Sequence, residues 1–338
     1  MKTFGLEELK EKTEVRGDTV VCPVTGCETQ VKKMTKGILK SLDAYLEKGR
    51  CKTGHFVHYL CKEHKIYITP TTFIYEDIKD NLLWYDDLDK DFLNEIIIAK
   101  RVKAQLHHVN SEDAISWNIF RFLERTNLLS GFLTELFNLS GGNPEIIYWS
   151  YSQSQQKVWN ELEDAREEFG ERPQRSSEPD IIIRSDDDLF FIEAKLTAPN
   201  KIDFNKNHTP KDKQERIERY SKGDPFLQQP VENIMGAGYY QLMRFWLIGA
   251  WIAEKKNLNF HLLNLVRKND EKDIESELGK FIKQNEKREF IRVAWEDIYE
   301  YISTTGLLSV DKDKMLGYFR NKTIYDTNGE LERAFSIP

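Results

Sequence analysis

The chain has 338 residues, 40% hydrophobic and 12% aromatic, enough for about two domains with real cores. A formal net charge of −7 and a pI near 5.7 exclude a body that attracts nucleic acid through its overall charge, so any such surface must be a local basic patch. No apolar run nears the roughly 18 residues of a membrane helix, and "MKTFGLEELKEKTE" lacks the apolar centre of a secretory signal, so a cytoplasmic protein with no membrane partner is expected.

Residues 1–15 read as a short amphipathic helix or a frayed end. Residues 16–75 hold Cys22, Cys27, Cys51 and Cys61 together with His55, His58 and His64. In a reducing compartment this clustering favours a metal over a disulfide framework. Cys22-x4-Cys27 and Cys61-x2-His64 are two tight pairs a few dozen residues apart, the pattern of a tetrahedral zinc site. Cys51 competes with His64 for the fourth position, His58 is a spare ligand, and reduced cysteines in a core are the competing reading. A closed four-ligand zinc leaves no open position, so its role would be structural. Residues 76–108 mix acids, aromatics and aliphatics at helical spacing and read as a helical connector.

The third segment, 109–338, begins with a helix. Asn110 or Ser111 caps it, Glu112 and Asp113 sit in its first turn, and Ile115, Ile119, Phe122 and Leu123 form its core face. A second helix runs over 128–139 to Gly141-Gly142, a strand is expected over 144–152, and 153–172 is charged helix or loop. After a hairpin at 178–196, a polar basic loop or helix covers 197–225, followed by a long apolar helix at 231–256 and a strand at 259–268. Residues 290–303 run from strand to helix before a charged tail. This order argues for an α/β or α+β layered domain.

The hairpin carries charges in apolar surroundings: "EPDIIIRSDDDLFFIEAKL". Side chains alternate along a strand, so Leu189, Phe191, Glu193 and Lys195 share one face. A turn over 185–188 pairs Arg184 with Leu189, and that register brings Asp180 opposite Glu193. Two facing carboxylates repel unless a cation lies between them, and Mg²⁺ accepts such oxygen ligands, with the Ala194 carbonyl near enough to add another. Lys195 could then activate water or stabilise phosphate charge. The competing reading is a surface ion pair between Lys195 and either acid.

Pro179-Asp180, twelve residues, then Glu193-Ala194-Lys195 resembles the signature of the PD-(D/E)XK nuclease superfamily, over about 110–270. The resemblance implies a restriction-endonuclease-like α/β core, a mixed central sheet flanked by helices, preceded here by a small zinc-ribbon-like module. The segment "CPVTGC … LCKEH" is similar to the N-terminal zinc ribbon of uncharacterised prokaryotic restriction-endonuclease-like proteins, although their first pair has two intervening residues and this one has four. The implied activity is Mg²⁺- or Mn²⁺-dependent phosphodiester hydrolysis by an endonuclease, on DNA first with RNA as the open alternative, in restriction or phage defence. Asp180 and Glu193 would hold the metal, Glu112 on the first core helix would support them, and Lys195 would act on water. Gln241 matches a helix-borne Gln of some branches, with Tyr240 and Arg244 beside it. Lys211, Lys213, Arg216 and Arg219, with His208, are candidates for the phosphate backbone, or else form a solvated charged face. Many enzymes of this fold act as homodimers. The alternative function is a catalytically inactive nucleic-acid-binding or regulatory protein on the same fold.

Overall fold

The structure, a computed structural model, describes residues 10, 15–16, 19–32, 59–61, 63–68, 73–99, 105–137, 143–172, 176, 178–204, 209–325 and 331–338. Most of the expected helix over 1–15, and Cys51, His55, His58, Gly141, Gly142 and His208, lie outside them. In chain order the strands and helices are β1 (Val15–Arg16), β2 (Thr19–Val21), β3 (Gln30–Lys32), β4 (Tyr59–Cys61), β5 (Ile66–Ile68), β6 (Phe73–Tyr75), α1 (Asp87–Ala99), α2 (Glu112–Arg125) and α3 (Leu129–Phe137). There follow β7 (Glu145–Tyr148), β8 (Tyr151–Ser152), β9 (Lys157–Val158), α4 (Asn160–Glu168), β10 (Ile181–Arg184), β11 (Asp188–Ala194), α5 (Pro210–Tyr220), α6 (Val231–Ala237) and α7 (Tyr240–Lys256). The last are β12 (Asn259–Val266), α8 (Ile274–Gly279), β13 (Arg288–Ala294), α9 (Trp295–Thr304), α10 (Val310–Asn321), β14 (Thr323–Tyr325) and β15 (Leu331–Arg333). The chain forms two compact units, one of residues 1–86, 105–122 and 299–338, the other of 87–104 and 123–298. Among the described residues no helix is long and apolar enough to cross a membrane.

The first unit holds two three-stranded antiparallel sheets, β1-β2-β3 and β4-β5-β6. Ser111 caps α2 by accepting from the Ala114 N–H at 3.0 Å. Asn118, fully buried on α2, takes the Leu83 N–H on its side chain and the Trp84 indole N–H on its carbonyl, so its polar groups are satisfied inside the core. Lys322 follows α10 with 3% of its surface exposed, and its Nζ donates to the Tyr318 hydroxyl at 2.9 Å. Burial pushes its pKa down to about 7, from 10.5. Between those values the unfolded chain binds a proton that the folded one does not. Stability is therefore expected to rise with pH over that window, by up to about 1.4 kcal/mol per pH unit from this group. Urea midpoints at pH 6.5 and 9 check this: Lys322→Met should raise the lower value and flatten the difference. Equal slopes in both proteins would reject it.

The second unit is built on a seven-stranded mixed sheet in the order β13-β12-β11-β10-β7-β8-β9. The β10–β11 hairpin has the register read from the sequence, Arg184 opposite Leu189 through Ile181 opposite Ile192. β11, β12 and β13 are parallel, and the connections between them are helical, as parallel strands require. Leu189 and Phe191 of β11 pack with α7 residues such as Leu242, Phe245 and Trp246 in one buried cluster. Alternation therefore puts Glu193 and Lys195 on the α7 face of the sheet. α7 comes close to β12 at Gly249, where an added Cβ would fall 2.1 Å from the Phe260 ring. Gly249→Ala should gain less than about 1 kcal/mol in helix propensity and lose about 1–3 kcal/mol to overpacking, a net destabilisation readable as a lower urea midpoint. An unchanged midpoint would mean that helix and strand separate freely.

Two expected elements are interrupted. The single helix over 231–256 is two, because Gly238 adopts φ +93 and closes α6 with bonds from its own N–H to Met235 O and from Tyr239 N–H to Ile234 O. Its carbonyl accepts from Ile202 N–H at 3.0 Å, which ties the break to the segment after β11. The strand expected over 144–152 is β7 and β8, joined by a two-residue turn in which Trp149 and Ser150 both take positive φ (+43 and +80). That conformation is strained for a tryptophan, and the Trp149 N–H donates to the Asp180 carbonyl at 3.3 Å. The basic segment 197–225 contains α5, started by a capping box of Thr209 and Asp212 with Pro210 in the first turn.

Candidate nuclease centre and cysteine-histidine cluster

The hairpin, the parallel strand order and the Gly238 break converge at one end of the central strands β10 and β11. Asp180 immediately precedes β10 and is half-buried. Its Oδ2 accepts the Ala194 N–H at 2.8 Å, so the carboxylate is held against the end of β11. Glu193 is 1% exposed. A carboxylate at that depth needs partners, and its Oε1 is bonded by the Lys195 ammonium and by Gln241 Nε2, the latter at 2.6 Å. Gln241 reaches it because α7 starts at Tyr240, two residues after the glycine break. The Lys195 backbone is fixed from both sides: its N–H donates to Leu265 O at 2.8 Å and its carbonyl accepts from the Trp295 indole at 3.0 Å. Asp180, Glu193, Lys195 and Gln241 are thus linked within the second unit by direct bonds to one another or to the end of β11. Glu112 lies in the first unit, in the first turn of α2.

The chemistry of this donor set, two carboxylates held at the end of one hairpin with an ammonium beside them, suits a hard divalent cation. Next to Glu193 in the sheet, Asn264 of β12 is fully buried in a network with Asn200 and Glu271. The Asn200 side chain donates to Asn264 at 2.7 Å and to Glu271 at 2.8 Å, tying the segment after Lys195 to the loop after β12.

Glu124 in the last turn of α2 was not among the acids singled out from the sequence. It accepts from the Tyr148 hydroxyl at 3.0 Å and from Gln153 Nε2 at 2.5 Å, and Tyr148 pairs with Ile181, one residue from Asp180. A signal was present in the sequence. An acid in the last helical turn opposes the helix dipole and must find its partners elsewhere.

The basic residues of α5 differ from one another. Lys211 is exposed and Arg219 half-buried, whereas Lys213 pairs with Glu232 at 3.4 Å. Arg216 lies over the rings of Phe204 and Tyr240.

In the first unit, Cys22 follows β2, Cys27 lies in the turn before β3, Cys61 ends β4 and His64 lies in the turn before β5. Each pair is shaped by a hairpin turn, with Gly26 at φ +79 in one and Lys65 at φ +54 in the other. Their ligand atoms all fall within 4.8 Å of one another, and His64 Nδ1 is 3.6 Å from Cys22 Sγ and 3.7 Å from Cys61 Sγ. Ligands about 2.0–2.3 Å from a tetrahedral zinc stand roughly 3.5–3.8 Å apart, so the cluster could hold one. The three cysteines are buried, and burial pushes the Cys22 thiol well above its ordinary value. A bound cation would offset that by favouring thiolates.

The second unit is a mixed seven-stranded sheet flanked by helices, the α/β architecture expected of a restriction-endonuclease-like chain. The family described as "Restriction Endonuclease associating with ARP" matches residues 47–323, well over half of the chain, and the chain belongs to that family. Comparison with curated proteins and with solved structures found no match.

Proposed function

We propose that this protein is a divalent-metal-dependent endonuclease that hydrolyses phosphodiester bonds in DNA, with a role in restriction or phage defence. The observation that carries the reading is the linkage of Asp180, Glu193, Lys195 and Gln241 at the end of the central hairpin in a chain of a restriction endonuclease family. Asp180 and Glu193 would hold Mg²⁺ or Mn²⁺. When bound, the metal would supply an activated water and neutralise phosphate charge. Lys195 would orient the attacking water and stabilise the charge that develops on the phosphoryl oxygens. Gln241 would fix the Glu193 carboxylate, while Lys211 and Arg219 would contact the phosphate backbone. Cys22, Cys27, Cys61 and His64 would hold a structural Zn²⁺. A homodimer would allow both strands to be cut.

The test incubates purified full-length protein with single- and double-stranded DNA and RNA, with Mg²⁺, with Mn²⁺ and with chelator. Metal-dependent cleavage of DNA that disappears in Asp180→Ala is expected. Binding without cleavage under every condition would replace the nuclease with a nucleic-acid-binding protein on this fold, and cleavage of RNA alone would change the substrate.

A further inference from the structure

The helix that carries the basic residues is fastened to the helix that carries Gln241. Arg216 of α5 places its guanidinium 5.2 Å from the ring centre of Phe204 and 4.9 Å from that of Tyr240, and its Nη1 donates to the Tyr240 hydroxyl at 2.6 Å. Four residues further along α7, Arg244 lies 5.3 Å from the same Tyr240 ring, and its Nε donates to the hydroxyl of Tyr220, the last residue of α5, at 2.9 Å. Tyr220 in turn donates to the buried carboxylate of Glu171 at 2.6 Å, and Arg244 Nη2 reaches the same oxygen at 3.3 Å. Burial works against the Arg244 charge, but Tyr220 and Glu171 more than offset it and hold its pKa above the ordinary value. α5 is therefore clamped to the start of α7 at two points, Tyr240 in its first turn and Arg244 just beyond. The residue after Tyr240 is Gln241, whose amide bonds Glu193.

We propose that Arg216 is a positioning residue: by clamping Tyr240 it sets the first turn of α7 and so the position of the Gln241 amide against Glu193. An arginine engaged with two ring faces and a tyrosine hydroxyl has little of its fork left for phosphate. The exposed Lys211 on the same helix has that freedom. A strand held by α5 would thus be linked through Arg216 and Tyr240 to the carboxylate that the nuclease reading, on which this inference rests, assigns to the metal.

Arg216→Lys keeps the charge and loses the planar fork; Tyr240→Phe keeps the stacked ring and loses only the hydroxyl. Both are assayed as full-length protein for kcat and KM on duplex DNA across a Mg²⁺ titration, and for Mn²⁺ binding without DNA by electron paramagnetic resonance. Asp180→Ala identifies the Mn²⁺ signal that belongs to the centre. Arg216→Lys should lower kcat and Mn²⁺ affinity roughly ten- to a hundredfold, as losses of partners behind a ligand do, with KM within about twofold of wild type. Tyr240→Phe should shift both in the same direction by less. Lys211→Ala should raise KM and reduce the salt dependence while leaving Mn²⁺ affinity unchanged.

If Arg216→Lys instead behaves like Lys211→Ala, Arg216 is a phosphate contact and the proposal is overturned; an Arg216→Lys protein indistinguishable from wild type overturns it equally. Thermal midpoints accompany each variant, and should Arg216→Lys fail to fold, Tyr240→Phe decides by the same criteria. If wild type neither cleaves DNA nor binds Mn²⁺ at Asp180, the nuclease reading has failed and this inference fails with it. If wild type does both and only the clamp variants are silent, the inference alone falls.

Discussion

Lys195→Ala is expected to lower DNA cleavage by about 10²–10³-fold, the loss that follows removal of one preorganised group aimed at developing charge. The lysine is 13% exposed at its side chain and pairs with a glutamate that is 1% exposed, so its truncation also disturbs the fold. It leaves the buried Glu193 with Gln241 as a donor, and breaking a buried ion pair costs about 3–5 kcal/mol. A rate measured on the single variant could therefore mix lost chemistry with lost structure. The double variant Glu193→Gln with Lys195→Met isolates the structural part, because it removes the ion pair as a whole; its loss of cleavage, which also reflects the lost Glu193 carboxylate, is not assigned to Lys195. It removes both charges and conserves volume, so the uncompensated carboxylate disappears and stability near wild type is expected, with no cleavage. Single-turnover rates and urea midpoints read the two effects. Cleavage by Lys195→Ala within about threefold of wild type would remove Lys195 from the chemistry.

The purified protein is expected to carry zinc, and its loss should unfold the part of the first unit that Cys22, Cys27, Cys61 and His64 hold together. The six short strands there are only two or three residues each, and their shared buried cluster includes all three cysteines. So small a core supplies little stability by itself, whereas a structural zinc contributes about 10–16 kcal/mol of apparent binding free energy in small domains. Cys61→Ser, or a strong chelator, should therefore abolish hydrogen-exchange protection in β2–β6. The protection of β11 and β12, which belong to the other unit, reports whether the effect stays local. Elemental analysis that finds no zinc, together with unchanged exchange in Cys61→Ser, would leave the cluster as reduced cysteines in a core.

The hairpin was legible because its information is local. Alternation fixes which residues of β11 share a face, and the Ser185–Asp188 turn fixes the register within a few residues. The Cys22-x4-Cys27 and Cys61-x2-His64 pairs were legible for a similar reason: each is closed by a single turn, and only their meeting is long-range. The break at Gly238 was hidden under an apolar pattern that runs through both helices. The turn at Trp149-Ser150 carries none of the Asn-Gly chemistry that usually marks a positive-φ pair, and it is held by bonds to Asp180 and Trp159 from other segments.

The sequence by itself determined the order of strands and helices around the core hairpin, the face shared by Glu193 and Lys195, and the two Cys/His pairs that could hold a metal, because each follows from side-chain period or short spacing. The tertiary structure alone decided which of these groups are held and by what. Asp180 is tied to the end of β11 by a backbone N–H, Gln241 reaches Glu193 because Gly238 restarts a helix, and Arg216 is drawn from a basic surface into an aromatic clamp. Those contacts join residues up to 48 positions apart, and no local periodicity encodes a distance of that kind.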